Sequence, residues 1–548
     1  MNKIILMILL NVSTLSMAQY NFQWYKTYDH IYGISYYDEA YEMVQDADGN
    51  IYVTGASFGE GDDSRYDIAT IKYNSNGDSL WVKRFNDGVY SFEQPAAIVL
   101  DQQQNVIITG ISRLEMVTIK YNSDGQLLWS KRFQDTAYDY RHEAYDVKTD
   151  NSDNIYVVGY STSRDFPGTA AQLLKYDPDG NLVWHRKYIN TVSAVLFSTL
   201  IFNNNNEIIT SGITIDSVYN NINFITVKYD TDGNKLWSAI SNISRLDKAV
   251  SVLSDSTGNI YVSGYGTDPG DVKNMVLLKY NSSGILQWTR KYPGFYINTS
   301  DQFLSDPDMI ALDKNDNVIV NFNTWNQFNV YEIATIKYNG SGELIWIKKY
   351  NLDEDSSYQE TRDLKVSPDG NIFVTAVSAK YYHSDFNTFA ILCYENNGNL
   401  KNVIRGSNQY DKPFYPMKSV INKDGSIYTT GYTRNNSHIT DYFTIKHSLT
   451  VGINSNTNLL PLKFNLSQNY PNPFNPMTII NYKCSMFNDV VLKVFDVLGN
   501  EVAVLVNEKQ NPGSYNVEFD GSGFSSGVYF YKLTAGEFSE TKRMVLLK

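Results

Sequence analysis

The 548-residue sequence is poor in cysteine, histidine and basic residues, and each shortage excludes a class of protein. Its 2 cysteines are too few for a disulfide scaffold. Its 6 histidines never occur at metal-ligand spacing such as HExxH, so neither a metal site nor a cofactor is predicted. With 46 basic against 59 acidic residues, the net charge of −13 argues against a nucleic-acid backbone as partner.

Long hydrophobic runs are also missing, and no stretch approaches the roughly 18 apolar residues of a membrane helix. The longest apolar run follows the first basic residue, Lys3, and extends over Ile4–Leu10. Ser16-Met17-Ala18 then provides a small-x-small site. This order predicts a signal peptide over residues 1–18, cleaved after Ala18, and therefore entry into the general export machinery.

Tyrosine is abundant, with 43 residues, and much of this excess is periodic. The segment DADGNIYVTG, which ends at Gly55, recurs seven times at spacings of 49 to 58 residues. The later copies end at Gly110, Gly159, Gly212, Gly264, Phe322, Ala376 and Gly431. A second segment, TIKYNSNGDSLWVKRF (Thr70–Phe85), follows the first in seven units, and Asn402 replaces its tryptophan in the seventh.

Each unit holds four strand-like runs separated by Asp, Asn, Ser and Gly, which is typical of a β-propeller blade. The eighth unit ends at Phe443–Ser448 without a fourth run, whereas Phe22–Tyr28 reads as a fourth run alone. We therefore predict an all-β fold, with an eight-bladed propeller over residues 20–448 that is closed by pairing of these terminal strands. A seven-bladed ring with one displaced unit is the alternative.

The repeat resembles a bacterial β-propeller repeat family, the SBBP-like repeats. Its units read roughly D-x-x-G-N-x-Y-V-T-G followed by K-Y-x-x-x-G-x-x-x-W, and the resemblance covers all eight units. It implies architecture and says almost nothing about activity.

The last hundred residues differ from the repeats. Residues 449–461 are polar and aperiodic, which indicates a linker. Residues 462–548 contain about seven short strand-like runs, which favour a small Ig-like β-sandwich. The prolines at positions 471, 473 and 476 exclude a central strand there.

This segment resembles the type A C-terminal sorting domain of the type IX (Por) secretion system of Bacteroidetes-like bacteria. The sorting motif comprises Tyr470, Pro471, Asn472, Pro473, Phe474, Asp496, Gly499, Gly527 and Lys548. The resemblance implies recognition by the type IX secretion and sortase machinery. It also implies a location outside the cell or on the outer-membrane surface.

Binding residues are expected on one face of the disc. The connections between strands two and three, and between successive units, share that face and vary in length, as binding loops do. Tyrosine and tryptophan offer a large contact area at low entropic cost. The candidate ligand-binding residues are Tyr37, Tyr66, Tyr140, Tyr219, Trp325, Tyr381, Tyr382 and Tyr415.

The sequence contains no GxSxG elbow, Walker loop or other visible catalytic constellation, so we expect a binding protein and not an enzyme. The favoured function is a surface-associated scaffold that binds an extracellular protein or polysaccharide. The alternatives are a polysaccharide hydrolase or lyase that uses the channel, and a structural or adhesive surface component. The Asp-rich turns lack the EF-hand pattern, so they are predicted to satisfy their own backbone and not calcium.

Overall fold

The computed structural model describes strands and turns and, within the described residues, no helix. It describes residues 19–548 except 30–36, 60–65, 89–91, 139, 164–167, 190–192, 217–220, 271, 295–309, 326–330, 353–357, 380–386, 407–412, 435–438, 451–463, 485–487, 511–512 and 537. The predicted signal peptide and its cleavage site at Ala18 therefore lie outside the described residues.

The repeat region consists of β1 (Gln19–Tyr28) and eight sets of strands, numbered here as sheets 1 to 8. Sheet 1 consists of β2 (Asp38–Gln45), β3 (Ile51–Phe58), β4 (Tyr66–Tyr73) and β5 (Ser79–Phe85), and sheet 2 of β6 (Glu93–Leu100), β7 (Val106–Ser112), β8 (Glu115–Tyr121) and β9 (Leu127–Phe133). Sheet 3 consists of β10 (Arg141–Thr149), β11 (Ile155–Thr162), β12 (Thr169–Tyr176) and β13 (Leu182–Tyr188), and sheet 4 of β14 (Ser193–Phe202), β15 (Ile208–Asp216), β16 (Asn221–Tyr229) and β17 (Lys235–Ser241).

Sheets 5 to 8 continue the same pattern. Sheet 5 consists of β18 (Leu246–Ser254), β19 (Ile260–Thr267), β20 (Lys273–Tyr280) and β21 (Leu286–Pro293), and sheet 6 of β22 (Ile310–Leu312), β23 (Val318–Trp325), β24 (Tyr331–Tyr338) and β25 (Leu344–Tyr350). Sheet 7 consists of β26 (Tyr358–Val366), β27 (Ile372–Ala379), β28 (Asn387–Tyr394) and β29 (Leu400–Gly406), and sheet 8 of β30 (Phe414–Ile421), β31 (Ile427–Arg434) and β32 (Thr440–Thr450) together with β1. Sheets 4 and 5 are also joined by one parallel bridge, Ile222 to Leu246. No described sheet closes on itself.

A bulge near the start of the first strand explains the glycine that ends the first repeat segment. In sheet 1 the register shifts between Ala40 and Glu42, opposite Gly55. A Cβ on Gly55 would lie 2.0 Å from the carbonyl oxygen of Glu39. A Cβ on Gly110, Gly159, Gly212, Gly264 or Gly431 would lie 1.9–2.0 Å from the equivalent carbonyl oxygen of its own sheet. The glycine therefore allows the bulged strand to approach closely.

A lysine and a tryptophan fasten most sheets to the next one. Lys72 on β4 and Trp81 on β5 both donate to the carbonyl oxygen of Ser123, at 3.1 and 3.0 Å, in the third–fourth turn of sheet 2. The same paired donation joins Lys120 and Trp129 to Pro178, Lys228 and Trp237 to Ser282, Lys279 and Trp288 to Gly340, and Lys337 and Trp346 to Asn396. We call each set a Lys–Trp clamp.

The seventh unit departs from the repeat for a structural reason. It carries Cys393 and Asn402 where the other units have the lysine and tryptophan of the clamp. The next sheet cannot accept a clamp, because sheet 8 takes its fourth strand from β1 and so has no third–fourth turn. The two substitutions therefore occur at the interface where the acceptor carbonyl is missing.

The chain's first described strand completes sheet 8. β1 pairs antiparallel with β32 along its length, from Gln19 opposite Thr450 to Tyr28 opposite Tyr442. Trp24 and Lys446 then donate to the carbonyl oxygen of Ser75, at 3.1 and 2.9 Å. Sheet 8 thus makes a Lys–Trp clamp with sheet 1.

Hydrophobic cores lie between the sheets. Each of eight clusters combines residues from two sheets that are consecutive in the chain, or from sheets 8 and 1. Tyr428 and Tyr442 of sheet 8, for example, pack with Ala40 and Met43 of sheet 1. Apolar burial is therefore continuous from each sheet to its neighbour.

The C-terminal strands form two sheets around one core. They are β33 (Asn465–Leu466), β34 (Met477–Cys484), β35 (Asn488–Phe495), β36 (Glu501–Gln510), β37 (Gly513–Asp520), β38 (Gly527–Ala535) and β39 (Phe538–Leu546). Sheet 9 has the order β33-β34-β37 and sheet 10 the order β36-β35-β38-β39. Ile480 and Tyr482 from one sheet pack with Leu492 and Tyr531 from the other. Described residues 464–548 form a compact unit of their own, distinct from the repeat region.

Candidate functional site

The repeat region contains a cavity of about 710 Å³ that is lined by the first strands of all eight sheets. Each first strand begins at the connection from the preceding sheet and ends at the Asp-rich turn, so all eight run in the same direction through the wall. The two ends of the cavity are therefore lined by the beginnings and by the ends of these strands. We call the former the mouth.

The two ends differ in chemistry. The wall near the Asp-rich turns is mostly aliphatic, and Lys148 and Lys365 are polar exceptions. Its aliphatic residues are Ile98, Ile201, Leu253, Leu312 and Val366. At the mouth the wall has polar and aromatic residues, which are Tyr41, Gln94, Arg141, Glu143, Tyr145 and Lys248; Leu196, Ile111 and Ile213 are apolar exceptions. A polar ligand would therefore meet its partners at the mouth.

At the mouth, tyrosine hydroxyls donate hydrogen bonds to carboxylates. The Tyr145 hydroxyl donates to Glu143 at 3.2 Å, and its ring stacks on Tyr160 at 5.6 Å. Burial, together with Tyr160 and the Glu143 charge, raises the pKa of Tyr145. Tyr41 donates to Glu39 at 3.2 Å in the same way, and burial is the main cause of its raised pKa. Both phenols therefore stay protonated and remain hydrogen-bond donors at neutral pH.

The carboxylates of the wall already have protein partners. Asp146 accepts the backbone N–H of Leu200 at 2.9 Å, and Asp363 accepts that of Ser419 at 2.8 Å, each on the following sheet. Glu143 also pairs with Arg141. Asp146 and Asp363 therefore link neighbouring first strands, and Glu143 is paired within its own strand, so these groups are poorly placed to serve as a general acid and base pair.

The Asp-rich turns satisfy their own backbone. Asp313 accepts the N–H groups of Asn315 and Asn317 and pairs with Lys337 at 2.7 Å. Burial tends to raise the pKa of Asp313, but hydrogen bonds from Asn317 and Lys337 outweigh it and leave that pKa below its usual value. Among the described residues no group of His, Cys, Asp or Glu is arranged to hold a metal ion.

The candidate ligand-binding residues fall into three groups. Tyr37 and Tyr140 precede a first strand and are 38% and 51% exposed. Tyr66, Trp325 and Tyr415 lie in β4, β23 and β30, so their assignment to loops was wrong. Their strands extend further than the alternation of residue types suggested. Tyr219, Tyr381 and Tyr382 lie outside the described residues. The binding role itself remains a prediction.

Tyr415 shows how a strand residue can still contribute to a binding surface. Its ring stacks on Tyr432 at 4.7 Å, with 12° between the planes, and the Arg434 guanidinium lies 5.6 Å from the ring centroid. The sequence reasoning missed Tyr145, Tyr160 and Glu143. The glycine opposite the bulge, Gly159, was the available signal, because the bulged position turns its side chain toward the cavity.

In the C-terminal unit, the sorting motif holds the last strand. Asn472 accepts the N–H of Val545 at 2.9 Å. Phe474, 1% exposed, exchanges two backbone hydrogen bonds with Val545 and Leu547. The carbonyl of Pro471 accepts the Thr478 hydroxyl at 2.8 Å, and the Pro473 peptide is cis.

The remaining motif residues shape turns and the chain end. Asp496 accepts the N–H groups of Leu498 and Asn500, and Gly499 has a φ of 84° that favours glycine. Gly527 begins β38 opposite Leu546. The Lys548 ammonium donates to Ser522 at 2.7 Å. The motif therefore fixes the last strand and its end.

Residues 468–547 match the family described as "Secretion system C-terminal sorting domain". This segment is a C-terminal sorting domain. It indicates export by a type IX secretion system, and hence interaction with that machinery, to the cell surface or extracellular space. Across the described ranges, no helix is long and apolar enough to cross a bilayer.

Comparisons of the chain as a whole are less specific. No curated protein matches it. Structures similar to it include PorZ, a surface component of the type-IX secretion system of Porphyromonas gingivalis (10% identity, TM-score 0.28, covering 92% of this chain and 74% of PorZ). Another is the β-propeller domain of the Trilobed protease from Pyrococcus furiosus (10% identity, TM-score 0.31, covering 69% of this chain and 95% of that domain). A third is a fungal alcohol oxidase (11% identity, TM-score 0.37, covering 83% of this chain and 97% of the oxidase). Similarities of this size assign no activity to the repeat region.

Proposed function

We propose that the chain is an exported eight-bladed β-propeller that binds an extracellular protein or polysaccharide at the mouth of its cavity. In this proposal residues 1–18 are a signal peptide, residues 20–448 the propeller, 449–461 a linker and 462–548 an Ig-like sorting sandwich. A sortase removes that sandwich, and the propeller is left on the cell surface or released.

Three observations support a closed ring of eight blades. All eight first strands line one cavity. A hydrophobic core joins sheet 8 to sheet 1, as cores join every consecutive pair. The clamp of Trp24 and Lys446 on Ser75 repeats the contact found between interior sheets. A ring closed in this way removes the open edge that two chain ends would otherwise leave.

The observation that carries the binding proposal is the arrangement of aromatic rings and hydrogen-bonding groups at the mouth. Tyr145 and Tyr41 present protonated hydroxyls beside carboxylates, and Arg141 adds a cationic donor. Flat rings next to donors and acceptors suit sugar rings or peptide side chains. Tyr140, half exposed, extends this surface outward.

Binding is favoured over catalysis because two carboxylates of the first strands are committed to structure. Asp146 and Asp363 each accept a backbone N–H from the neighbouring sheet. A polymer-cleaving enzyme needs an acid and a base that are free to exchange protons with substrate. A hydrolase or lyase therefore has less support than a binding scaffold.

The test is a glycan and extracellular-protein array probed with the full mature chain. Tyr145→Ala and Tyr140→Ala should each weaken any signal by about tenfold, as loss of an aromatic contact does. Leu128→Ser, an exposed substitution on an outer strand, is the matched control and should bind as the wild type does. Binding that survives both tyrosine substitutions would place the ligand elsewhere and refute the proposal.

A further inference from the structure

Tyr470 of the sorting motif has a side chain that the structure of the domain does not require. Phe474 and Asn469 are 1% and 2% exposed and hold the last strand or the adjoining turn. Tyr470, in contrast, is 79% exposed. Its backbone exchanges two hydrogen bonds with Ile479, at 2.9 and 3.0 Å, which any residue except proline could make. Stability alone therefore does not require an aromatic side chain here.

Tyr470 belongs to an exposed apolar patch. It forms an isolated bridge with Ile479, which is 41% exposed, so the two side chains are neighbours. Met477, 42% exposed, lies two residues earlier on β34 and therefore on the same face of sheet 9. The alternating burial along β34 places these side chains outward and Ile480 and Tyr482 in the core. We call Tyr470, Met477 and Ile479 the Tyr470 patch.

Acidic residues border the patch. On the adjacent β37, Glu518 lies opposite Ile479 and Asp520 opposite Met477. Both are exposed. Directly opposed residues of an antiparallel pair lie close enough to share one contact surface. The patch is therefore apolar at its centre and negative along one side.

This charge selects among possible occupants. A second copy facing the patch with its own patch would oppose like charges. The repeat region is also a poor occupant, because residues 462–548 hold eight acidic and eight basic residues and leave the whole net charge of −13 on residues 1–461. A protein with an apolar pocket and basic residues at its rim fits best. An export receptor is the partner that a sorting domain must meet.

We propose that the Tyr470 patch is the surface by which a protein receptor of the secretion machinery recognises this domain, through an apolar pocket with a basic rim. Tyr470 fills the pocket, and Glu518 and Asp520 pair with the rim. The proposal rests on the export role of the domain and is independent of what the repeat region binds. Exposed tyrosines at the centre of an interface are frequent hot spots.

The experiment measures the surface-displayed or released fraction of the full chain in a host that carries the secretion system. The double variant Tyr470→Ala/Ile479→Ser should reduce this fraction by about tenfold, with the protein retained in the periplasm. Tyr470→Phe keeps the ring and should be exported normally. Val504→Ser, at a residue 48% exposed on sheet 10, is the matched control and should also be exported normally.

Misfolding is separated from lost recognition in two ways. The purified double variant should resist proteolysis as the wild type does, since both side chains are exposed. The variant Glu518→Lys/Asp520→Lys leaves the apolar residues in place and should also be retained. Export of both double variants within about twofold of the wild type would overturn the proposal.

Two other outcomes would also decide against the proposal. A wild-type dimer that becomes monomeric in the double variant would assign the patch to a second copy. Deletion of residues 462–548 runs in parallel: if the deleted chain is still displayed, the export role itself fails, which is distinguishable from failure of the patch alone.

Discussion

Replacing Trp24 by alanine tests whether the chain's first strand closes the ring. Trp24 donates to Ser75 at 3.1 Å, and its rings lie 5.9 and 6.2 Å from those of Tyr428 and Tyr73. Trp288, in the interior of the repeat array, donates to Gly340 at 3.2 Å and lies 5.9 Å from Tyr261. The two tryptophans thus make equivalent contacts, one at the chain end and one in the middle.

The expected loss follows from these contacts. The hydrogen bond contributes about 1 kcal/mol, and each aromatic pair about 0.5–1.5 kcal/mol. Truncation of a fully buried tryptophan costs about 3–5 kcal/mol, and Trp24 is only partly buried. We therefore expect Trp24→Ala to lower the free energy of unfolding by about 2–4 kcal/mol, as Trp288→Ala should.

Urea denaturation followed by circular dichroism measures both variants. Gln23→Ala, at an exposed neighbour on β1, should leave the midpoint unchanged and serves as the control. The closed ring is wrong if Trp24→Ala has the same urea midpoint as the wild type while the free energy of unfolding of Trp288→Ala falls by about 2–4 kcal/mol. In that case β1 behaves as a frayed chain end.

Three further outcomes are expected. Gly159→Ala puts a Cβ 1.9 Å from a backbone oxygen, so it should lower the free energy of unfolding in urea by about 3 kcal/mol or more. Its control is Gly340→Ala, which should leave the free energy of unfolding nearly unchanged because the nearest atom to the new Cβ is the end of a lysine side chain at 3.6 Å. Burial raises the pKa of Asp247 from 3.8 to about 6, so the native state holds a proton that the unfolded chain releases. The wild type's stability relative to Asp247→Asn should therefore fall as pH rises from 3.8 to about 6, and a pH-independent difference would contradict this. Burial also raises the pKa of both thiols, that of Cys484 to about 11, so Cys393 and Cys484 should resist iodoacetamide until the protein is denatured, as mass spectrometry would detect.

The repeat sequence predicted the sets of four strands because each run carries its own pattern of apolar residues and turn residues. It could not explain why Cys393 and Asn402 break the pattern. That explanation depends on an acceptor turn missing from the next sheet, which is a relation between distant parts of the chain. The sorting motif was recognisable from sequence because its residues form a compact set of turns and backbone contacts.

The cavity mouth was harder to predict. Tyr145 and Tyr160 come together only because β10 is bulged opposite Gly159 and turns a side chain toward the cavity. Alternation along a single strand does not reveal such a bulge. Tyr66 and Tyr415 were misassigned to loops for a related reason, since the strand ends depend on pairing with neighbours and not on local residue types.

The pairing of residues 19–28 with residues 440–450 also sets an order of events during synthesis and export. The first strand is made early, yet its partner follows about four hundred residues later. Until then its hydrogen-bonding edge stays open, and a fragment that ends before residue 440 never covers it. Such fragments should therefore associate with one another, while the sorting domain is made only after the partner strand is complete.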